Sequence, residues 1–467
     1  MKPPVKPPCL ENLNVEDKLA TLKGMLLQHH GWIQPTTDKG EYLHWDKLRH
    51  LQTPMELSAE QWWFAIKAAR RTLYNSLPFT DKMHKPFYFG TPNVVLQKLH
   101  IIDRNMGNNV QSATLTINPQ MRDTYLVRSL IEEAITSSQL EGAATTRKVA
   151  KEMIQTQRKP KDTSEQMIMN NYNAMKFIHS IKNEMLTVEI ILELHRIITQ
   201  NTLDDPNLSG NLRNTNDINV WDRQGQYILH TPPNAEELMQ RLNKLCAFAN
   251  ASEDQESRET SYFSNMQIRK QFFIHPVIKA ILLHFMLAYD HPFVDGNGRT
   301  ARALFYWSMS HQGYWLMEYI SISDIVKKSP SEYARAFLYT ETDENDVTYF
   351  ILHQLDVILK AIDTLYIYLD KQAEEIHSTE QLLHTNPTFY DKLNYRQIAL
   401  IKHALRHPHM RYLIEGHRQS HNITYDTARN DLLKLSKAGL LIKRKMGKAF
   451  AFSVPVDLKE KIVLPYP

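Results

Sequence analysis

The stretch His291-Pro-Phe-Val-Asp-Gly-Asn-Gly-Arg-Thr-Ala-Arg302 crowds into one loop the groups that phosphoryl chemistry needs. Gly296 and Gly298 permit backbone conformations closed to other residues. Successive amides can therefore converge on an anion at the start of the next helix, where the dipole also favours negative charge. Arg299 and Arg302, three apart, fall on one face of that helix and can fork onto further oxyanions. Asp295 sets a hard carboxylate beside the cradle, as Mg²⁺ requires when substrate phosphates supply its other ligands. His291, at the opposite end, titrates near neutrality and is positioned to take a proton from an incoming hydroxyl. A plain glycine turn with a surface carboxylate would leave this clustering unexplained.

Outward from the loop the chain reads as helices. Residues 276–289 are apolar nearly all round, which predicts a core helix that stops at His291-Pro292, because proline disfavours helical geometry in the residue before it. Helices are predicted over 299–312, 332–339 and 347–375 on one side, and over 164–183, 187–200 and 235–250 on the other. Asn118-Pro119 opens a further helix that runs to Gly142. Ile218-Asn219-Val220 and Tyr227-Ile228-Leu229-His230 are short extended runs flanking Gly225, a β-hairpin pattern. Residues 15–103 carry helix-like stretches, and within 59–74 Trp62, Trp63, Ile66 and Ala69 mark a core face. A metal site of His275, His284 and His291 is the competing reading. It needs one helix face to continue through Pro292, and no Asp or Glu within the helix completes the set.

The loop resembles the Fic motif, H-x-F-x-[D/E]-G-N-G-R-x-x-R, at every defined position. The resemblance extends over 187–357 and takes in Gly210-x-x-Arg213, the hairpin, His275-Pro276 and residues 339–348. It implies a protein adenylyltransferase that moves AMP from ATP, with Mg²⁺, onto a Ser, Thr or Tyr hydroxyl of a target protein. By similarity His291 is the general base, Asp295 the Mg²⁺ ligand and Asn297 an α-phosphate contact. Gly296 and Gly298 form the anion hole, and Arg299 and Arg302 face the β- and γ-phosphates. Ile218, Asn219, Val220, Tyr227, Ile228 and Leu229 resemble the flap that holds the target by strand addition. Relatives that move UMP, phosphate or phosphocholine, or that remove AMP, leave donor and direction open.

Ser137-Ser-Gln-Leu-Glu141-Gly142 places a hydroxyl and a carboxylate four residues apart on one helical face. Glu141 stands at the end of a helix closed by Gly142, where its charge opposes the macrodipole, and such a local violation points to function. The segment resembles the Fic inhibitory motif, [S/T]-x-x-x-E-[G/N], in the class with an N-terminal inhibitory helix. That implies autoinhibition: Glu141 pairs with Arg302 and displaces the γ-phosphate.

From Asn394 the pattern is helix (395–406), helix (411–418), a helix from Thr424 to Gly439, then strands at 440–444 and 449–454. This resembles a winged helix. Lys and Arg outnumber acids roughly three to one there, which fits DNA contacts by Thr424, Arg429, Lys434, Lys443, Arg444, Lys445 and Lys448. The same fold also serves protein contacts or homodimerisation. A nucleotide-sensing transcriptional regulator is therefore the second functional reading.

The expected architecture is mainly α: an N-terminal helical region (1–110), a Fic domain (111–375) with its inhibitory helix at 119–142, a linker (376–393) and a winged-helix domain (394–467). With 14 glycines in 467 residues and short β-branched runs, composition agrees with a helical chain. A net charge of +4 excludes a uniformly cationic nucleic-acid or membrane binder. Cys9 and Cys246 have neither disulfide-framework nor zinc-ligand spacing. With no apolar signal region and no run of about eighteen apolar residues, the expected location is cytoplasmic, with no membrane partner.

Overall fold

Trp62, Trp63 and Ile66 form the core face that their spacing predicts. In the computed structural model, which describes the chain except residues 1, 13, 29–32, 55–56, 107–118, 223, 252–272, 385–391, 409, 422, 447–448 and 464–467, they lie on the third helix. Helices α1 (Val15–Gln28), α2 (Trp45–Leu48) and α3 (Ala59–Thr72) lead into an antiparallel pair, β1 (Asn75–Thr80) and β2 (Pro86–Phe89), and α4 (Asn93–Met106) follows. Ser58 and Gln61 close a capping box at the start of α3. The hairpin falls within a region expected to be helical. Leu77 and Phe79 are buried while Pro78 is exposed, an alternation that proline permits on an edge strand.

This N-terminal part shares one compact unit, residues 1–363, with the helices around the loop. Arg70, buried on α3, donates to the Tyr349 hydroxyl (2.6 Å) and to the carbonyls of Pro35 (2.8 Å) and Leu43 (2.9 Å), and lies 3.6 Å over the Tyr42 ring. Lys67, one turn earlier, pairs with Asp343 at 2.9 Å, both fully enclosed. The β1–β2 turn is held by Arg241, which donates to the carbonyls of Thr80 (2.8 Å) and Asp81 (3.0 Å).

The rest of the unit comprises α5 (Pro119–Leu140), α6 (Arg147–Thr156), α7 (Thr163–Ser180), α8 (Val188–Thr199), the short strands β3 (Val220–Trp221) and β4 (Ile228–His230), α9 (Leu238–Asn250), α10 (Pro276–Asp290), α11 (Asn297–His311), α12 (Ile322–Lys328), α13 (Pro330–Thr342) and the part of α14 (Thr348–His384) up to residue 363. Every residue of α10 from Val277 to Leu287 is buried, as an all-round apolar helix requires, and α10 packs along α11. α11 starts at Asn297 and not at Arg299, because Gly296, at φ +80°, turns the chain directly into the helix. α14 continues to His384 through residues read as looser, and Asn386-Pro387, like Asn118, lies outside the described residues.

The second unit, residues 364–467, holds α15 (Tyr395–Arg406), β5 (Arg411–Leu413), α16 (Ile414–His421), α17 (Tyr425–Lys437), β6 (Ile442–Met446), β7 (Ala449–Ser453) and α18 (Leu458–Val463). The helix expected over 411–418 is corrected here. Its first three residues form β5, paired antiparallel with Ser453, Phe452 and Ala451 of β7, and the helix begins only at Ile414. Cross-strand pairing overrides local helical pattern at this point. The sheet order is β5-β7-β6, and Ile401, Ala404, Leu432, Leu435 and Phe452 fill the core beneath it. Thr424 caps α17 by accepting from the Thr427 amide, and Gly439 closes it at φ +73°. Among the described residues no helix is long and apolar enough to cross a membrane.

Arg70→Ala removes a buried cation that binds three acceptors, and leaves those acceptors and a cavity behind. Stability should fall by about 3–5 kcal/mol in urea denaturation. A loss below about 1 kcal/mol would show that the N-terminal helices are not held by this contact.

Candidate active site

The loop is anchored at both ends. Leu287 accepts the His291 amide (3.1 Å), and His291 ends α10 in the left-handed region at φ 45°, an uncommon conformation for a residue with a side chain. Arg213, also buried, holds it there: Nε donates to the His291 carbonyl (2.9 Å), Nη1 to Thr215 (2.8 Å) and Nη2 to Pro233, while its amide donates to Pro292 (2.9 Å). At the other end His195 stacks on Phe293 with centroids 3.7 Å apart. Its Nδ1 accepts from the Gly210 amide (3.0 Å), which leaves Nε2–H to donate to the Asp295 carbonyl (2.9 Å). A Cβ at Gly296 would lie 2.9 Å from Thr199 Cγ2 and 3.4 Å from the His195 ring, so this floor leaves room for glycine alone.

The imidazole of His291 does not titrate near neutrality as its residue type suggested. Burial, with the neighbouring His230 acting in the same direction, pushes it down to about 4; a hydrogen bond to the Ala288 carbonyl and the Glu141 charge only partly offset this. At neutral pH the ring is uncharged and can accept a proton. Asp295, half-exposed at 51%, receives the Gly296 amide on Oδ1 (2.6 Å) and Arg299 on Oδ2 (3.1 Å). Each oxygen retains a lone pair, so the carboxylate fits the donor set of a Mg²⁺ ion completed by phosphates.

Two expected contacts are used otherwise. Asn297 spends its side chain on the loop: Oδ1 accepts from the Phe293 amide (2.9 Å) and Nδ2 donates to the Phe293 carbonyl (2.8 Å). What it offers an anion is its backbone N–H in the first turn of α11. Arg299 is fully buried between Asp295 and the Ile198 carbonyl (3.3 Å), and its Nε has no partner among the described residues. Burial lowers its pKa in spite of Asp295. Arg302 instead lines the cavity beside His291.

Glu141 reaches that cavity from the end of α5. Its Oε1 lies 2.7 Å from Arg302 Nη2, and a Cβ at Gly298 would be only 2.2 Å from the same oxygen. The carboxylate thus rests on the first turn of α11, where the dipole stabilises it, although it opposes the dipole of its own helix. Ser137 completes the clasp, its hydroxyl accepting from Arg302 Nε (2.9 Å) and its carbonyl from Nη2 (3.2 Å). Gly142, at φ +100°, turns the chain away. Two turns earlier the buried Glu133 receives Tyr306 of α11 (2.8 Å), Ser321 (2.8 Å), the Ser323 amide (3.1 Å) and the Ser323 hydroxyl, and so ties α5 to α11 and α12.

The hairpin is shorter than read. Only Val220–Trp221 and Ile228–His230 pair, with Val220 opposite His230 and Trp221 opposite Ile228. Beyond the strands the Asp222 amide makes one more backbone bond, to the Tyr227 carbonyl (2.9 Å), and its side chain closes the turn by accepting the Gln226 (2.6 Å) and Tyr227 (2.9 Å) amides. Ile218, Asn219 and Tyr227 flank the strands, and Asn219 accepts from the Thr231 hydroxyl at 2.9 Å. Val220 and Leu229 line a cavity of about 200 Å³ together with His291, Gly298, Arg302 and Glu141, while Trp221, Tyr227 and Ile228 are exposed.

Of the histidines in the metal reading, His275 caps α10 and meets Asp103 at 2.9 Å, and His284 is buried against the Tyr333 hydroxyl at 2.9 Å. Among the described residues no group of three or more His, Cys, Asp or Glu could hold a metal. His195 and Glu133 were not foreseen; a lone His in an apolar helix and one of two adjacent glutamates give no local signal. Thr424, Arg429, Lys434, Lys443, Arg444 and Lys445 lie in the second unit, and Lys448 is outside the described residues.

Residues 185–309 match the Fic/DOC family. The protein adenylyltransferase Fic of Nematostella vectensis is 33% identical over 134 residues, 28% of this chain and 25% of that protein. The protein adenylyltransferase fic-1 of Caenorhabditis elegans is 27% identical over 224 residues, 47% of this chain and 38% of that protein. The matched part thus spans less than two fifths of either relative. A crystal structure of a Fic family protein from Desulfovibrio desulfuricans is 16% identical, with a TM-score of 0.47, over 78% of this chain and 96% of that one.

Gly296→Ala combines a positive φ with the Thr199 clash and should cost about 2–3 kcal/mol in urea denaturation. Adding Thr199→Ser, which keeps the hydroxyl and removes Cγ2, should recover the steric part. No recovery would mean that the tight floor is not what excludes a side chain.

Proposed function

We propose, on the premise of the Fic/DOC family match at residues 185–309, that the chain is a protein adenylyltransferase restrained by its own Glu141. One observation carries this reading. A single cavity joins an uncharged, proton-accepting imidazole to an anion site on the first turn of a helix, and a carboxylate of the same chain sits in that site. The curated relatives named protein adenylyltransferase support it.

In the proposed reaction ATP lays its phosphates along the start of α11, where the amides of Asn297, Gly298 and Arg299 and the Arg302 guanidinium receive them. A target hydroxyl attacks the α-phosphorus in line. The new O–P bond forms, the bond to the β-phosphate oxygen breaks, and pyrophosphate leaves with that electron pair. His291 takes the hydroxyl proton, and its left-handed cap geometry, braced by Arg213, aims the ring into the cavity. Mg²⁺ held by Asp295 supplies neutralisation of phosphate charge when bound. The exposed hairpin edge around Trp221 and Ile228 would receive the target segment by backbone pairing. Glu141 blocks the sequence at its first step, since it holds the guanidinium and helix end that a terminal phosphate needs.

We further propose that residues 394–467 are a winged helix that contacts duplex DNA. The exposed surface of α17 carries Arg429, Lys434 and Lys437, and Lys443, Arg444 and Lys445 are exposed on the outer strand β6. Cations on a helix and an adjoining strand suit phosphate contacts on either side of a groove.

Glu141→Gly incubated with ATP and Mg²⁺ should acquire adducts of AMP mass, at least about tenfold above wild type, and His291→Ala in that background should abolish them. Between pH 6 and 8 the kcat/KM of Glu141→Gly should not fall on acidification through His291, because burial already holds the imidazole down to about 4 in the intact chain and removal of the Glu141 charge lowers it further. Equal, low adduct levels in wild type and Glu141→Gly would remove the brake. For the second unit, the full chain should retard duplex DNA with an affinity that drops steeply between 50 and 200 mM salt, as phosphate contacts dictate, and Lys443→Glu with Lys445→Glu should weaken it. An unchanged mobility at low salt would leave the unit to protein contacts.

A further inference from the structure

We propose that the exposed turn between β1 and β2, Lys82-Met-His-Lys85, is a second contact for the target protein and selects acidic residues on one flank of the hydroxyl that is modified. The inference rests on the transferase reading above and deepens it to the class of target.

The turn points its backbone inward and its side chains outward. All four amides are bound: Lys82 to the Tyr289 hydroxyl (3.2 Å), Met83 and Lys85 to Asp81 Oδ1 (2.8 Å each), and His84 to the Asp81 carbonyl (3.0 Å). Asp81 Oδ2 accepts from Asn345 (2.9 Å), so this carboxylate is occupied within the turn and its support. Arg241 donates to the Thr80 and Asp81 carbonyls. His84 takes the left-handed region at φ 61°, uncommon for a residue with a side chain. The four side chains after Asp81 are nevertheless all exposed, Met83 at 69%. A merely solvated loop needs no such bracing. Two lysines and an apolar tip on a fixed backbone are what a docking surface requires, because little backbone freedom remains to be lost on binding.

The position of the turn identifies the partner. Lys82 Nζ donates to the Thr231 carbonyl at 3.4 Å, and Thr231 directly follows β4. Tyr289 joins turn and hairpin: its hydroxyl receives the Lys82 amide, and its carbonyl receives His230 of β4 at 2.7 Å. Tyr289 precedes His291 by two residues, so turn, hairpin and proposed base are braced together. A target segment paired with the hairpin at Ile228 reaches Thr231 about 10 Å further along, at about 3.3 Å per residue, and there meets Lys82. Lys82 spends one N–H on Thr231 and retains two. Acidic side chains answer the two exposed ammonium groups by charge and by hydrogen bond, and Met83 between them adds an adaptable apolar contact.

The test presents short synthetic peptides to full-length Glu141→Gly protein with ATP and Mg²⁺ and measures adducts of AMP mass. Each peptide has a central Ser, Thr or Tyr and acidic, neutral or basic residues on one flank. Acidic peptides should be modified with a kcat/KM about tenfold or more above basic ones at about 50 mM salt, as two exposed ion pairs allow. The ratio should shrink to about twofold at about 500 mM, where such charges are screened. Lys82→Gln with Lys85→Gln should remove the preference. Lys82→Glu with Lys85→Glu should invert it toward basic peptides, which loss of structure cannot do. A preference that both double variants retain, or none at the outset, overturns the proposal, as does self-modification without modification of any peptide. If charge reversal alters self-modification alone, the turn docks a second copy of this chain, and the proposal is likewise overturned. No adduct on peptide or protein defeats the transferase reading itself, a result distinct from adducts formed without regard to charge.

Discussion

A buried guanidinium at the start of a helix must be answered by negative charge, and much of this domain is arranged around that requirement. Arg302 is 2% exposed, and burial opposes its charge; the Glu141 carboxylate, with Tyr333 and Glu133 acting in the same direction, more than offsets this and raises its pKa. Because the carboxylate also lies over Gly298, one anion satisfies both the arginine and the helix end. The glycine is thus bound up with the ion pair: any side chain there would stand where the anion rests. The arrangement is electrostatically complete only when something negative is present, whether from α5 or from a bound phosphate.

That completeness depends on groups that never face the cavity. α5 is held through Glu133, whose carboxylate collects Tyr306, Ser321 and Ser323, so the helix bearing Glu141 is fastened to α11 two turns away from the contact. The loop is fastened by His195 beneath Asp295 and by Arg213 beneath His291. With α5 anchored at Glu133 and α11 packed along α10, the cheapest way to vacate the anion site is to move the Glu141 side chain and the last turn of α5, where Gly142 already interrupts the helix. In the proposed cycle the exchange is carboxylate for phosphate at fixed scaffold geometry.

Much of this was legible in the residues, and the exceptions have physical causes. The twelve residues from His291 could be read because their chemistry is local: glycines that bend, arginines one turn apart, a carboxylate and an imidazole in a single loop. Glu141 was legible because it broke a local rule, and the structure supplies the reason, since the helix it favours is α11 and not its own. Three features could not be read. The β1–β2 hairpin is hidden by its short strands and by Pro78, and it is secured by Arg241 from far along the chain. The strand at Arg411–Leu413 depends on β7, some forty residues downstream, and in isolation its pattern suits a helix equally well. The low proton affinity of His291 arises from burial by surrounding elements, which residue type cannot report.

The proposed brake and the proposed base are coupled through this same burial. Glu141 raises the proton affinity of His291, while burial and His230 lower it. A carboxylate in the anion site therefore makes the imidazole somewhat harder to keep neutral, and its departure moves the ring further toward the uncharged form. In the proposed reaction an incoming polyphosphate would restore negative charge to the cavity just as a hydroxyl proton needs a destination, so the ring would gain basicity with the donor in place. Two opposing influences on one histidine, a constant one from burial and an exchangeable one from whichever anion occupies the site, are what the proposed switch between a Glu141-closed and a nucleotide-filled cavity would use.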